Sequence, residues 1–175
     1  MQTNNTTRQF DLMEANLQAL SARVPDLLVD GILLCRVLMH VGREMGVRFE
    51  QQLRPFGFGE AEFRVLTTLF SQPNGVAHPG DLCLRASQSP ANMSRISDVL
   101  VARGLITRDL SVQDRRRMVL RITEKGEAFV RELLPKLSVP LRAMLQDFPV
   151  TEQRHLTAQL KRLGAELDQR PEQSE

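Results

Sequence analysis

Leu105-Ile106-Thr107-Arg108-Asp109-Leu110-Ser111-Val112-Gln113-Asp114-Arg115-Arg116-Arg117-Met118-Val119-Leu120-Arg121-Ile122-Thr123 reads as two short strands joined by a tip that carries three consecutive arginines. A helix-like run that opens at Ser89-Pro90 and stops at Gly104 comes directly before it. A helix followed by an arginine-tipped hairpin is the layout of a winged helix, in which the helix enters the major groove of DNA and the hairpin reaches the flanking minor groove. The stretch therefore implies DNA binding.

The charge supports that implication through its placement. The chain has 175 residues, 42% of them hydrophobic, and a net charge of only +2. Between Arg85 and Arg131, however, ten basic residues face five acids, a local +5 that leaves −3 for the rest. Positive charge gathered around one hairpin is what a phosphate-facing surface requires. The length suits one domain or a small domain with helical extensions, and apolar residues recur at helical intervals, so the fold class expected is mainly α (α+β).

Working outward, Ser89 suits an N-cap and Pro90 the first helical position, where a missing N–H costs nothing. Met93, Ile96 and Leu100 share one face that must point to a core, while Ala91, Asn92, Ser94, Arg95 and Asp98 fall elsewhere. Upstream, Pro79-Gly80-Asp81-Leu82 opens a short helix ending near Ser87, and the turn Gln72-Pro73-Asn74-Gly75 ends a helix from Gly59 to Phe70. This is the winged helix-turn-helix order. A long helix is expected from about Asp26 to Leu53, with Leu28, Ile32, Leu33, Val37 and Val41 on one side, and a shorter one over Phe10 to Leu20 before Pro25. After the hairpin, Thr123 can cap a helix carrying Phe129, Val130, Leu133 and Leu134, which Pro135 and Pro140 are expected to bend or interrupt. Thr151 opens a last helix whose Leu156, Leu160, Leu163 and Leu167 form a stripe that needs a partner. Such helices flanking a DNA-binding lobe pair most naturally with those of a second copy. The organisation expected is thus an N-terminal extension (1–25), a long helix of a dimerisation and ligand region (26–56), the winged helix-turn-helix lobe (57–123), C-terminal dimerisation helices (124–169) and a disordered tail (170–175), with Met1 to about Thr7 disordered as well.

The sequence resembles the MarR family of bacterial regulators, nearest to its branch of multidrug-efflux repressors. The resemblance runs from about Leu28 to Leu167. It is carried by Gly57 with the Glu60 to Leu69 helix, Pro79 to Leu82, Ser94 to Leu100, Arg103-Gly104-Leu105-Ile106, Asp114-Arg115-Arg116, and Leu120 to Gly126. It implies an obligate homodimer that represses efflux or aromatic-compound genes from a palindromic double-stranded operator and leaves it when a small aromatic or phenolic ligand binds. It also implies that the helix over Pro90 to Arg103 is the recognition helix, its N-terminal half, including Ala91, facing the major groove. Asn92 can then pair with adenine and Arg95 with guanine, while Ser89 and Ser94 suit phosphate; the alternative is a plain solvated face. Arg116 matches the family's wing arginine, drawn to a narrow minor groove, and Asp114 the carboxylate that holds it, unless Asp114 is only a turn residue. Arg115 and Arg117 would face phosphate or solvent, and Arg108 would brace the wing. The effector cavity would be lined by Met39, Phe63 and Leu66, with Arg36, His40 or Arg43 for a carboxylate or phenolate, although the two arginines could equally be solvated and His40 an interface residue.

Other readings remain. Cys35 sits where the organic-peroxide-sensing branch of the family places its reactive cysteine, but the chain has no tyrosine to hold a thiolate, and Met39 and Phe49 stand at the spacings where tyrosines would be expected. Cys83 suits packing. The two cysteines form no CxxC pair and are expected to be free thiols in a reducing cytoplasm. His40, His78 and His155 lack a second ligand at helical spacing, so neither metal nor cofactor is expected. No Gly-rich phosphate loop, nucleophile elbow or zinc-helix pair suggests an enzyme. Met1 to Arg8 lacks signal-peptide character and no apolar run is long enough to span a bilayer, so the expected place is the cytoplasm, at the nucleoid when bound to DNA. A non-specific architectural DNA-binding protein is the last rival; a repressor should prefer its site by about a thousandfold or more.

Overall fold

In the computed structural model the described residues are 5–110 and 117–169. The chain divides into two compact units, Met1–Val65 and Leu66–Glu175. The first contains α1 (Asn5–Ser21), α2 (Val29–Leu53) and the start of α3 (Glu60–Phe70). Helix α1 reaches back into the stretch expected to be disordered, because Asn5, Thr6 and Thr7 lie in a polar first turn to which hydrophobic periodicity is blind. Within this unit Leu17 of α1 is buried, and Phe10 meets the His40 ring edge-on at 5.4 Å. Phe49 and Phe63 make a similar edge contact at 5.4 Å.

The stripe expected along α2 is partly covered, with Ile32, Leu33 and Val37 half-buried. Only His40 and Leu53 are buried on that helix, Val41 is exposed, and Leu28, 73% exposed, precedes the helix. A 25-residue helix with so little apolar burial has an unpartnered side.

The second unit holds the rest of α3, then β1 (Val76–Ala77), α4 (Pro79–Arg85), α5 (Pro90–Ala102), β2 (Ile106–Leu110), β3 (Met118–Ile122), α6 (Glu124–Met144) and α7 (Val150–Gln169). The sheet order is β1-β3-β2, antiparallel throughout, with Ile106 opposite Ile122, Leu110 opposite Met118, and Val76 opposite Arg121. Strand β1 was not anticipated: two residues carry no period. Met93, Ile96 and Leu100 are buried as their spacing requires, together with Leu82, Leu105, Val119, Leu120, Val130 and Leu133.

Helix α6 corrects the expectation at its prolines. It runs unbroken through Pro135 and Pro140. Each proline removes one i to i−4 hydrogen bond, but the helix is held elsewhere: Thr123 Oγ1 accepts from the Gly126 N–H at its start, and Val130 and Leu133 are buried. Helix α7 is the opposite of α5 in one respect, since none of its residues is buried.

Candidate nucleic-acid interface

The turn between α4 and α5 sets the interface. Ser87 takes a left-handed conformation (φ 51°), which lets the Gln88 N–H reach back to the Cys83 carbonyl at 2.8 Å. Ser89 is then extended and caps α5 by accepting from the Asn92 N–H at 3.2 Å, and Pro90 occupies the first turn. The cap leaves the Ser89 hydroxyl hydrogen available for a phosphate oxygen.

With Met93, Ile96 and Leu100 committed to the core, Ala91, Ser94, Arg95 and Asp98 are exposed and Asn92 is half-buried. Asn92 Nδ2 donates to Gln88 Oε1 at 2.6 Å, and Arg95 Nε donates to Asn92 Oδ1 at 3.2 Å. Ser97, also buried, donates to the Met93 carbonyl at 2.7 Å. The two residues expected to read bases therefore touch each other, and Gln88, which sequence reading passed over, touches both the turn and Asn92. Its signal was present: Gln88 and Asn92 are four apart, Asn92 and Arg95 three apart, the spacings at which helical side chains meet.

Arg108 on β2 joins hairpin to helix. Its Nη2 lies 2.6 Å from Asp98 Oδ1 and 3.4 Å from the Ser94 carbonyl. Farther along the hairpin Arg121 Nε is 3.0 Å from Asp109 Oδ2, which also accepts from Thr107 at 3.1 Å. Arg117 is exposed at the foot of β3. Asp114, Arg115 and Arg116 lie outside the described residues. Between α4, α5 and the hairpin runs a groove of about 660 Å³, bordered by Cys83, Leu84, Met93, Ser94, Arg108 and Met118. Cys83, read from sequence as packing, is half-buried in that groove wall, and both cysteines are free thiols.

The residues expected to line an effector cavity are placed as follows. Arg36, Met39 and Arg43 are exposed on α2, Met39 at 76%, and Arg43 lies 3.6 Å from the Glu44 carboxylate. His40, next to Met39 in the chain, is buried against Phe10, and its Nε2 has no hydrogen-bond partner among the described residues. Phe63 packs on Phe49, and Leu66 is fully buried. Cys35 is exposed. Among the described residues no cluster of His, Cys, Asp or Glu is placed to hold a metal, and no helix is long and apolar enough to cross a membrane.

A profile of the MarR family matches residues 56–117, which contain α3, α4, α5 and β2. The chain is also 34% identical over 160 residues to the transcriptional repressor MprA of Escherichia coli K12, covering 91% of each. The chain belongs to the MarR family. This MarR-family regulator also shares its fold with Sco3205 of Streptomyces coelicolor, solved in complex with DNA, at a TM-score of 0.73 and 19% identity, over 85% of this chain and 93% of that one. BpsR of Bordetella bronchiseptica, whose DNA binding is regulated by 6-hydroxynicotinic acid, superposes with a TM-score of 0.66 at 21% identity, over 74% and 91% of the two chains. The winged helix-turn-helix inferred from the hairpin and the helix before it is the family's fold, and the chain is a DNA-binding transcriptional regulator.

Proposed function

We propose that the protein is a homodimeric repressor that holds a palindromic operator and is released from it by a small aromatic acid or phenol, with efflux or aromatic-compound genes as its targets. The observation that carries this reading is the polar face of α5, Ser89 to Arg95, clear of the core and tied by Arg108 to the hairpin. In it Arg95, hydrogen-bonded to Asn92, faces the base edges, Ser89 and Ser94 contact phosphate, and Arg116 with Asp114, Arg115 and Arg117 serves the minor groove and the flanking backbone. The similarity to a named repressor, MprA, supports repression, and BpsR supports an aromatic acid as effector.

The dimer is supported by α7, where Leu156, Leu160, Leu163 and Leu167 are all exposed. For the effector, the buried unpartnered imidazole nitrogen of His40 favours a ligand that offers it a hydroxyl or carboxyl, with Arg36 or Arg43 of the same helix for a carboxylate or phenolate. A second reading places the effector in the 660 Å³ groove, where it would contest Arg108 with Asp98 and so loosen the hairpin from α5. Either ligand acts only by preferring the DNA-incompetent state, and a coupling of about 1–3 kcal/mol makes a usable switch.

The test begins with selection of an operator from random DNA, followed by challenge of the complex with salicylate-like acids and with an organic hydroperoxide. Aromatic acids are expected to release the DNA, with Cys35→Ser behaving as wild type. His40→Leu should raise the concentration needed if the α2 site is used, and Cys83→Phe if the groove is. Release by hydroperoxide alone, lost in Cys35→Ser, would replace this reading with a thiol-based sensor. Equal affinity for all sequences would replace it with an architectural protein.

A further inference from the structure

We propose that Asn92 does not read a base of its own but sets the guanidinium of Arg95, and that Gln88 in turn sets Asn92. The proposal rests on α5 being the recognition helix. The contacts form one directed chain. Arg95 Nε donates to Asn92 Oδ1 at 3.2 Å, Asn92 Nδ2 donates to Gln88 Oε1 at 2.6 Å, and Gln88 Nε2 donates to the Ala86 carbonyl at 3.1 Å.

Its ends cannot be reversed. Arginine only donates and a backbone carbonyl only accepts. Flipping either amide alone would set two donors or two acceptors against each other at 2.6 Å, and flipping both would turn the Asn92 amide nitrogen on Arg95 and the Gln88 oxygen on Ala86. Both amide orientations therefore follow from chemistry, not from the density of contacts.

The anchor is rigid. Ala86 is fully buried at the end of α4, Gln88 is held by its own N–H to Cys83, and Asn92 is held by its N–H to the Ser89 cap. With its Nε committed to Asn92, Arg95 addresses a guanine through its terminal Nη1 and Nη2 edge, one of the two ways a guanidinium can pair with O6 and N7. Asn92, with one oxygen lone pair and one N–H spent inside the protein, is oriented along the helix instead of out of it. Ordering Arg95 before DNA arrives removes part of the entropy cost of fixing a long side chain on binding.

The experiment measures affinity for every single-base variant of one half-site of the selected operator. Arg95→Ala is expected to lose preference at one position, on the order of tenfold. Asn92→Ala should lose preference at that same position, and Gln88→Ala should do so more weakly, neither adding to Arg95→Ala in the double variant. Asn92→Asp keeps an acceptor for Arg95 Nε but sets its other oxygen against Gln88 Oε1, so it should weaken the preference about as little as Gln88→Ala does, while its charge lowers affinity for all sequences evenly. Thermal melts of the variants should match wild type, since these side chains lie off the core.

If Asn92→Ala instead changes preference at a position that Arg95→Ala leaves intact, or if the two effects add, Asn92 reads its own base and the relay is wrong while the recognition helix stands. If none of the three alanine variants alters preference anywhere, the recognition-helix reading falls, and the relay with it.

Discussion

Helices α5 and α7 carry apolar residues at similar helical intervals and have opposite fates. In α5, 13 residues long, Met93, Ile96, Ser97 and Leu100 are buried and a serine caps the start. In α7, 20 residues long, nothing is buried, and its leucines are 36% to 70% exposed. Most helical stability in proteins comes from packing an amphipathic face, and none of the described residues of α7 is buried. Spacing tells which side of a helix is apolar. It does not tell whether that side meets its own chain or another.

The contrast is most severely tested on α7. Replacing Leu156 and Leu160 together by Asp should dissociate the dimer at a cost of about 3–6 kcal/mol, the transfer value of two leucines, seen in sedimentation at micromolar concentration as a fall from twice the chain mass. A wild-type chain that already sediments as a monomer would break the comparison outright. Ile96→Ala acts at the other pole. It should lower stability in urea by about 2–5 kcal/mol through the cavity left in the lobe, and should do so equally at high and low protein concentration if the lobe is self-contained. Ser89→Ala is the mildest, about 1 kcal/mol for a lost N-cap, and a change too small to resolve would mean that Pro90 and the core face suffice to start α5.

The lobe was legible because its residues answer to local rules. Ser89-Pro90 announces a helix start, Met93, Ile96 and Leu100 announce a buried face, and the hairpin joins two runs that pair in register from Ile106–Ile122 to Leu110–Met118. What escaped notice depends on longer-range partners. Val76 and Ala77 become a strand only because Arg121 and Leu120 lie beside them. Pro135 and Pro140 stay inside a helix whose hold lies at its cap and buried face. Of the α2 stripe, Ile32, Leu33 and Val37 are half-buried and Leu28 and Val41 exposed, a division that spacing alone does not set. At the interface the residue types were legible and their alliances were not: Arg108 with Asp98, and Asn92 with both Gln88 and Arg95, are pairings that only a fold assembles.

The joint between α5 and α6 has a mechanical consequence. Thr123 Oγ1 donates to the Gly104 carbonyl at 2.8 Å, the Thr123 N–H to Leu105 at 3.0 Å, and Lys125 Nζ to the Arg103 carbonyl at 2.8 Å. Gly126 lies so close to the Leu105 carbonyl that any side chain would collide with it. The end of one helix is thus riveted to the beginning of the next, and the pair behaves as a bell crank. With a rise of 1.5 Å per residue, α6 is an arm of about 30 Å and α5 one of about 20 Å. A sideways shift of about 2 Å at the far end of α6 is a rotation of about 4°, which a rigid joint delivers as roughly 1.3 Å at the tip of α5, where Ser89 and Asn92 sit. That is enough to take a hydrogen bond out of range.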